Sequence, residues 1–455
     1  MILPDMLQKS EQWLQNTMLE RKELAKAIHS ILSPSGADKW SDCTQSLVGM
    51  LDTIIYSTDN ILAMEGTLAH FVLELSITLW VRPSKLKKLD WPKDLVGEAI
   101  DSFKRSLDNQ YNSDEVKEYA KECLSIITNK NFSEEMLDEV DKCFQRIKVY
   151  GDDGWAISAE RKVSLYSYFG HKHCDGTADV IMYKGNRVIV ADLKYGKGIE
   201  VSPYYNKQAR LYAGGALAWL YEEFGYTFTE ITIVIMQPRI GNGAWKEWTL
   251  SYGGEDGLYN YLMEVKEQSI IALAVISGLI DGVYEATTKT CQWCHRRLGC
   301  IGRYKKYLEL MDEVNNMPDL NEIDNEKLGE LLDKKPFIIS YLNDAEKLAN
   351  KKLTGGEVIP GWKLVKGRAS NNWSIKDQNL MIQTLVTLGY EITECVETKI
   401  KSPAQMKKVK KQDKEVRKAM EQQIITTYGN PVLAPESDSR AKIPSASEAF
   451  AQAGY

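Results

Sequence analysis

Apolar positions follow three different periods along the chain, and the changes of period divide it. From residue 4 to residue 31 they recur at helical spacing among charged neighbours, at Leu7, Leu14, Met18, Leu24 and Ile28, which predicts an amphipathic helix. Leu32-Ser33-Pro34-Ser35-Gly36 breaks it. Helical periodicity returns over residues 65–79 and, in a more charged form, over 83–149. Between residues 155 and 168 the period falls to two, with Ile157, Val163 and Leu165 apolar, which predicts a strand. Two short apolar runs follow, Val180-Ile181-Met182-Tyr183 and Arg187-Val188-Ile189-Val190-Ala191, separated by Lys184-Gly185-Asn186. Gly-Asn between β-rich runs is a two-residue hairpin signal. A helix over residues 203–224 and a continuous apolar run over 231–236 come next, the run reading as a strand buried on both faces. The order strand, strand, helix, strand predicts an α/β fold built on a mixed central sheet flanked by helices. A further long helical stretch covers residues 257–285.

The hairpin carries the first chemistry. With Gly185-Asn186 as the turn, Lys184 pairs with Arg187, and counting outward sets Asp179 opposite Asp192. Directly opposed residues share a face with Cβ atoms about 4.5–5.5 Å apart. Lys194, two residues beyond Asp192, keeps that face. Two carboxylates at such a distance repel unless a positive charge lies between them. A solvated strand end accounts for either aspartate alone, whereas the set of Asp179, Asp192 and Lys194 points to a divalent metal held by oxygen ligands beside a lysine.

Other residues gain meaning from this hairpin. Gly66, His70 and Glu74 are spaced by four on the predicted helix of residues 65–79 and so share one face; a histidine so placed can approach a metal or sit half-buried beside an ordinary polar neighbour. On the helix after the hairpin, Gln208 and Tyr212 lie one turn apart near Lys207 and Arg210, a set of donors suited to a phosphate backbone and bases. His171, His173, Cys174 and Asp175 fall between two strands and read as a polar loop. Cys291, Cys294 and Cys300 form C-x2-C-x5-C, a metal pattern in a reducing compartment. Three thiolates leave a zinc site or an iron–sulfur cluster one ligand short. Cys43 and His295 are the candidates for the fourth, and His295, directly following Cys294, is the less favourable geometrically.

Composition limits the classes open to the chain. With 455 residues, 44% hydrophobic and 26% charged, it reads as a globular protein of about three domains. A formal net charge of −6 argues against a generally basic nucleic-acid coat and leaves room for a local basic channel. Residues 1–10 lack a basic segment followed by an apolar core, and the apolar stretch at 270–280 is too short to span a bilayer. A cytoplasmic location with no membrane partner is expected, and with it free, buried or metal-bound thiols for the eight cysteines. Residues 308–348 are acidic and helical, Gly355-Gly356 and Pro360-Gly361-Trp362 mark turns, and 377–388 resume a helix. Residues 399–418 hold nine basic and two acidic side chains, a solvated face or a nucleic-acid contact. The organisation expected is an N-terminal helix (1–31), a central domain (32–305) with a helical insertion (83–149), a helical accessory domain (306–430) and a flexible tail (431–455).

The order Gly66-x3-His70, Gly176-x2-Asp179, Asp192-x-Lys194, Gln208-x3-Tyr212 and the late cysteine triplet resembles the RecB-like branch of the PD-(D/E)XK nucleases. Cys43 ahead of the histidine motif is similar to the iron–sulfur subgroup that includes AddB and the CRISPR-adaptation exonucleases. Ser33-Pro34-Ser35-Gly36-Ala37 through Cys43, Gln237-Pro238-Arg239 and Pro360-Gly361-Trp362-Lys363-Leu364 resemble an uncharacterised RecB-like family of bacteriophages and prophages. The resemblance implies a restriction-endonuclease-like fold in which His70, Asp179, Asp192 and the carbonyl of Leu193 ligate Mg2+ or Mn2+ and Lys194 orients the attacking water. It further implies that Gln208 and Tyr212 contact DNA, and that Cys43, Cys291, Cys294 and Cys300 hold a [4Fe–4S] cluster, with structural Zn2+ the alternative. Asp192 stands where many relatives have glutamate, and no G-x4-GK[ST] motor motif is present. The expected activity is a metal-dependent DNA exonuclease in phage recombination, repair or replication within a bacterial host, partnered by a phage single-strand-binding or annealing protein. The competing expectation is a non-catalytic DNA-binding scaffold.

Overall fold

The computed structural model describes residues 3–444 apart from 21–30, 49, 51–59, 198–199, 241–244, 293, 376, 397–405, 407–413, 429–431 and 436–442. Its centre is the expected hairpin. Strand β1 (Ala156–Ser164) pairs antiparallel with β2 (Asp175–Lys184), and β2 with β3 (Arg187–Leu193). Lys184 lies opposite Arg187, and the register runs unbroken to Val180 opposite Ala191. Gly185 makes the turn with φ +60°, a conformation that costs a residue without Cβ little.

Helix α6 (Lys207–Phe224) then carries the chain across to β4 (Glu230–Met236), which lies parallel to β3; β5 (Lys246–Ser251) closes the sheet antiparallel to β4. This helix starts where the Asn206 side chain accepts a hydrogen bond from the Ala209 N–H. The result is a five-stranded mixed sheet in the order β1-β2-β3-β4-β5, as the α/β expectation required. Helices cover both faces, which explains why β3 and β4 are almost continuously apolar and buried.

Alternate side chains feed two cores. Ile181, Val188, Val190, Ile231 and Ile233 pack with α1 (Leu3–Glu20), α6 and α7 (Leu258–Ile276). Met182, Ile189, Ala191, Leu193 and Met236 pack on the other side, with α2 (Ile61–Leu79), α3 (Lys93–Asp108), α4 (Asp114–Asn129) and α5 (Glu134–Asp152). Residues 83–149, expected as a helical insertion, form a layer of this core, with Phe103, Ile127 and Phe144 fully buried. The N-terminal helix is likewise no separate domain, since Leu14 belongs to the first core and Met6 packs on Ile270 and Ala274. By length and composition α2 is apolar enough to cross a membrane, and half of its apolar window is buried inside the fold.

The chain divides into a unit of Met1–Glu309 and a unit of Leu310–Tyr455, with α8 (Ile301–Asn315) running from one into the other. The second unit holds α9 (Asn325–Thr354) and α10 (Gln378–Thr387). It also has two small sheets, β6 (Trp362–Val365) with β9 (Val432–Pro435), and β7 (Ala369–Trp373) with β8 (Ile424–Tyr428). It is thus mixed rather than helical. Within the span expected as a tail, Val432–Pro435 pairs as β9, and the Ile443 N–H donates to the Leu364 carbonyl. Most of the basic run at 399–418 and of residues 431–455 lies outside the described residues.

Candidate metal centre

The site forms where helix α2 meets the ends of β2 and β3. Asn60 caps α2, its side chain accepting from the Leu62 N–H at 2.8 Å. One face of the helix, Met64, Leu68, Phe71, Val72 and Leu75, is buried in the second core, which fixes the helix rotation and turns His70 towards the sheet. The His70 Nδ1 lies 3.5 Å from Asp179 Oδ2 and 3.2 Å from Glu160 Oε1. Ligand atoms of His70, Glu160 and Asp179 all fall within 4.8 Å of one another. An imidazole nitrogen with carboxylate oxygens is a donor set suited to Mg2+ or Mn2+. Asp179 is 8% exposed, yet the His70 side chain keeps 30% of its surface open, so the cluster is reachable from solvent.

Beside it stands a second pair. Lys194 Nζ is 2.7 Å from Asp192 Oδ2. Gln208, on the first turn of α6, spans this pair: its amide donates to Asp192 Oδ1 at 3.3 Å and its carbonyl accepts from Lys194 Nζ at 3.1 Å. The Leu193 N–H between them donates to Asp179 Oδ2 at 2.6 Å, tying the two halves of the site by one backbone group. Gln208 thus works inside the site, and Tyr212, buried at 8% exposure, packs inward rather than offering an open face to a strand. Gly176 explains the packing of Tyr212: a Cβ there would lie 2.8 Å from Tyr212 Cε1 and 3.1 Å from Pro34 Cδ. Only glycine admits the tyrosine and proline rings so closely.

The protonation of these groups reflects crowding. Burial pulls the His70 imidazolium down, but Asp179, Glu160 and Asp192 outweigh it and hold its pKa up at about 9. Burial raises Asp179, reinforced by Asp192 and Glu160 and opposed by His70 and Lys194, to about 7. Lys194 is drawn down by burial, yet Asp192 and Asp179 push it above its ordinary value. The carboxyls therefore outnumber the cations near them, the condition a divalent ion relieves.

Glu160 escaped the sequence, and Gln237-Pro238-Arg239 was marked there without a role. Glu160 lies at the position facing Asp179 across β1 and β2, with φ +43°; the only sequence signal available was the register of those strands, counted back from the hairpin. Gln237 and Arg239 hold the chain that follows Lys194. The Gln237 side chain accepts from the Val201 N–H at 2.7 Å, and Arg239 pairs with Glu65 of α2 at 2.9 Å and stacks over Tyr195 at 4.5 Å.

Cys43, Cys291, Cys294 and Cys300 line one cavity with Arg296 and Arg297, although some 250 residues separate the first from the rest. Arg303, buried at 2% exposure, lies behind them, and its N–H donates to Cys300 Sγ at 3.4 Å. Burial pushes Cys291 up to about 11, against the pull of Thr290 and Arg303, and raises Cys43 as well. Four thiols and two arginines on one cavity are groups of the kind a thiolate-bound metal or cluster takes. His295 is exposed and is not among the residues lining the cavity.

The family model described as "Protein of unknown function (DUF2800)" matches residues 29–441. A solved structure described as "Crystal structure of SSO0001" matches at 16% sequence identity, covering 41% of this chain and 77% of that one, with a TM-score of 0.21. At that TM-score it does not bear on the fold.

Proposed function

The chain belongs to the DUF2800 family, and we propose that it is a metal-dependent deoxyribonuclease with a RecB-like PD-(D/E)XK site, acting as an exonuclease on DNA ends. The observation that carries this reading is the meeting of His70, Glu160 and Asp179 within 4.8 Å beside the Asp192–Lys194 pair. His70, Asp179, Glu160 and Asp192 would hold Mg2+ or Mn2+, with the Leu193 carbonyl a further donor. Such an ion supplies Lewis acidity and offsets charge on a phosphodiester. Lys194 keeps its proton, since Asp192 and Asp179 raise its pKa, and so presents a fixed cation to an anionic substrate. Gln208 holds that ammonium and the Asp192 carboxylate in one geometry, which lowers the cost of arranging them during reaction.

The cysteine cavity in this reading holds a [4Fe–4S] cluster that joins the two ends of the nuclease domain, with structural Zn2+ as the other occupant of the same thiols. DNA is the partner, and phage recombination, repair or replication the setting. Full-length protein incubated with end-labelled single- and double-stranded DNA and Mg2+ or Mn2+ releases nucleotides, and Asp192→Ala does not. Cleavage that survives Asp192→Ala sinks the mechanism, and binding without cleavage across metals and substrates leaves a DNA-binding scaffold.

A further inference from the structure

We propose that Lys207 is a positioning residue through which the cysteine cavity holds the Asp192–Lys194 pair in place; the proposal rests on reading that pair as part of a nuclease site. Three sets of contacts form a chain that runs through this lysine. The first fixes the loop that carries Cys43. The Cys43 N–H donates to the Lys39 carbonyl at 2.8 Å, the Gln45 N–H to the Val283 carbonyl at 3.1 Å, and the Val283 N–H to Thr44 Oγ1 at 2.9 Å. Asp38 pairs with Lys289 at 2.6 Å, on the short helix Thr288–Gln292 that bears Cys291. The loop is therefore registered against the segment that brings the other three cysteines.

The second set joins this loop to α6. Lys207 Nζ reaches Ser41 Oγ at 2.9 Å and pairs with Asp42 Oδ1, next to Cys43 in the chain. Lys207 is three-quarters buried and Asp42 two-thirds, so the pair is shielded from the screening that weakens surface ion pairs. The third set is the neighbouring residue, Gln208, with its two hydrogen bonds to Asp192 and Lys194. Adjacent residues in the first turn of a helix move together, because the helical backbone fixes their spacing. A shift of the Cys43 loop therefore passes through Asp42 and Lys207 to Gln208, and from there to the catalytic ammonium. Two residues along the chain and two side-chain contacts separate Cys43 from Lys194.

The test is a double-mutant cycle in the full-length protein, with Lys207→Met, Cys43→Ala and both together, and with Lys207→Arg as the conservative variant. Two readouts are followed: hydrogen exchange of the amides of residues 209–212, and kcat and KM on end-labelled DNA with Mn2+. Each single change speeds exchange and lowers kcat by about tenfold with KM held within about twofold, and the double variant is no worse than the worse single one. Lys207→Arg returns both readouts to near wild type, and Lys207→Met keeps the iron or zinc content of the purified protein. Additive effects, wild-type behaviour of Lys207→Met, or failure of Lys207→Arg to restore overturns the proposal. A wild-type protein that cuts no DNA but shows the non-additive exchange pattern upholds the coupling and removes the nuclease reading instead.

Discussion

Divalent-ion binding at His70, Glu160 and Asp179 is expected to release protons, and the number released follows from the site. His70 has a pKa of about 9 and Asp179 about 7, and each must be deprotonated before Nδ1 and Oδ2 can ligate. Above about pH 9 no proton is displaced. Between about 7 and 9 binding displaces one, and below about 7 it displaces two. Apparent affinity then changes about hundredfold between pH 6 and 7 and about tenfold between pH 7 and 8, roughly a thousandfold in all. The two protons belong to the cluster jointly, because His70 and Asp179 face each other at 3.5 Å. The sign for stability agrees. The His70 contribution is present below its ordinary 6.5 and lost as pH rises through about 9, and Asp179, raised from 3.8, makes folding less favourable as pH rises towards about 7. Metal-free protein is therefore expected to lose stability with rising pH over the range in which it gains metal affinity. Calorimetric titration with Mn2+ at pH 6, 7 and 8, in buffers of different ionisation heat, measures both affinity and proton release. In Asp179→Asn proton release below pH 7 falls, because one titrating group and the largest charge raising His70 are both removed. An affinity change smaller than about tenfold between pH 6 and 8, or no buffer-dependent heat, refutes the reasoning.

Replacing Lys194 by Met leaves Asp192 buried without its cation, which costs on the order of 3 kcal/mol; thermal unfolding of the metal-free variant falls by several degrees, and saturating Mn2+ recovers part of the loss. Gly176→Ala forces a Cβ to within 2.8 Å of the Tyr212 ring and is expected to destabilise by about 1–3 kcal/mol, read as a lowered melting temperature. Cys291→Ser, purified anaerobically, loses the iron or zinc bound by the wild type, and metal content unchanged by that substitution removes the cysteine cavity as a metal site.

Where local chemistry specified geometry, the sequence was enough. The Gly-Asn turn fixed the β2–β3 register and the period of two kept Asp192 beside Lys194, whereas Asp179 groups with His70 and Glu160. The period of α2 put His70 on a defined face, and C-x2-C-x5-C grouped three of the cysteines of one cavity, with Cys43 joined to them by the resemblance alone. Pairings between distant segments left no such mark. Nothing near Trp362 or Val432 announces that β6 and β9 pair across 66 intervening residues, since four-residue strands carry too little pattern to register. The helices of residues 83–149 advertised an apolar stripe but not the sheet face it would cover. Gln208 offered an amide to the site, and only the fold shows that Asp192 and Lys194 take it up.

Glu160 is the clearest instance, because its role arises from a backbone irregularity. On one side of this point Ile157, Ala159, Val180 and Met182 pack in the second core, while on the other side Val163 and Ala178 pack in the first. Both strands change the face they present without losing register, and the change is centred on Glu160 at φ +43° and its opposed residue Asp179. A non-glycine residue held in the left-handed region costs on the order of 1 kcal/mol or more, so surrounding structure must impose it. Regular alternation would have turned both opposed carboxyls towards the first apolar core. The switch instead turns the Glu160 and Asp179 side chains to the one place where His70 of α2 meets both. Strain in the strand and crowding of charge in the site are therefore two consequences of the same displacement. A bound cation is what would offset both.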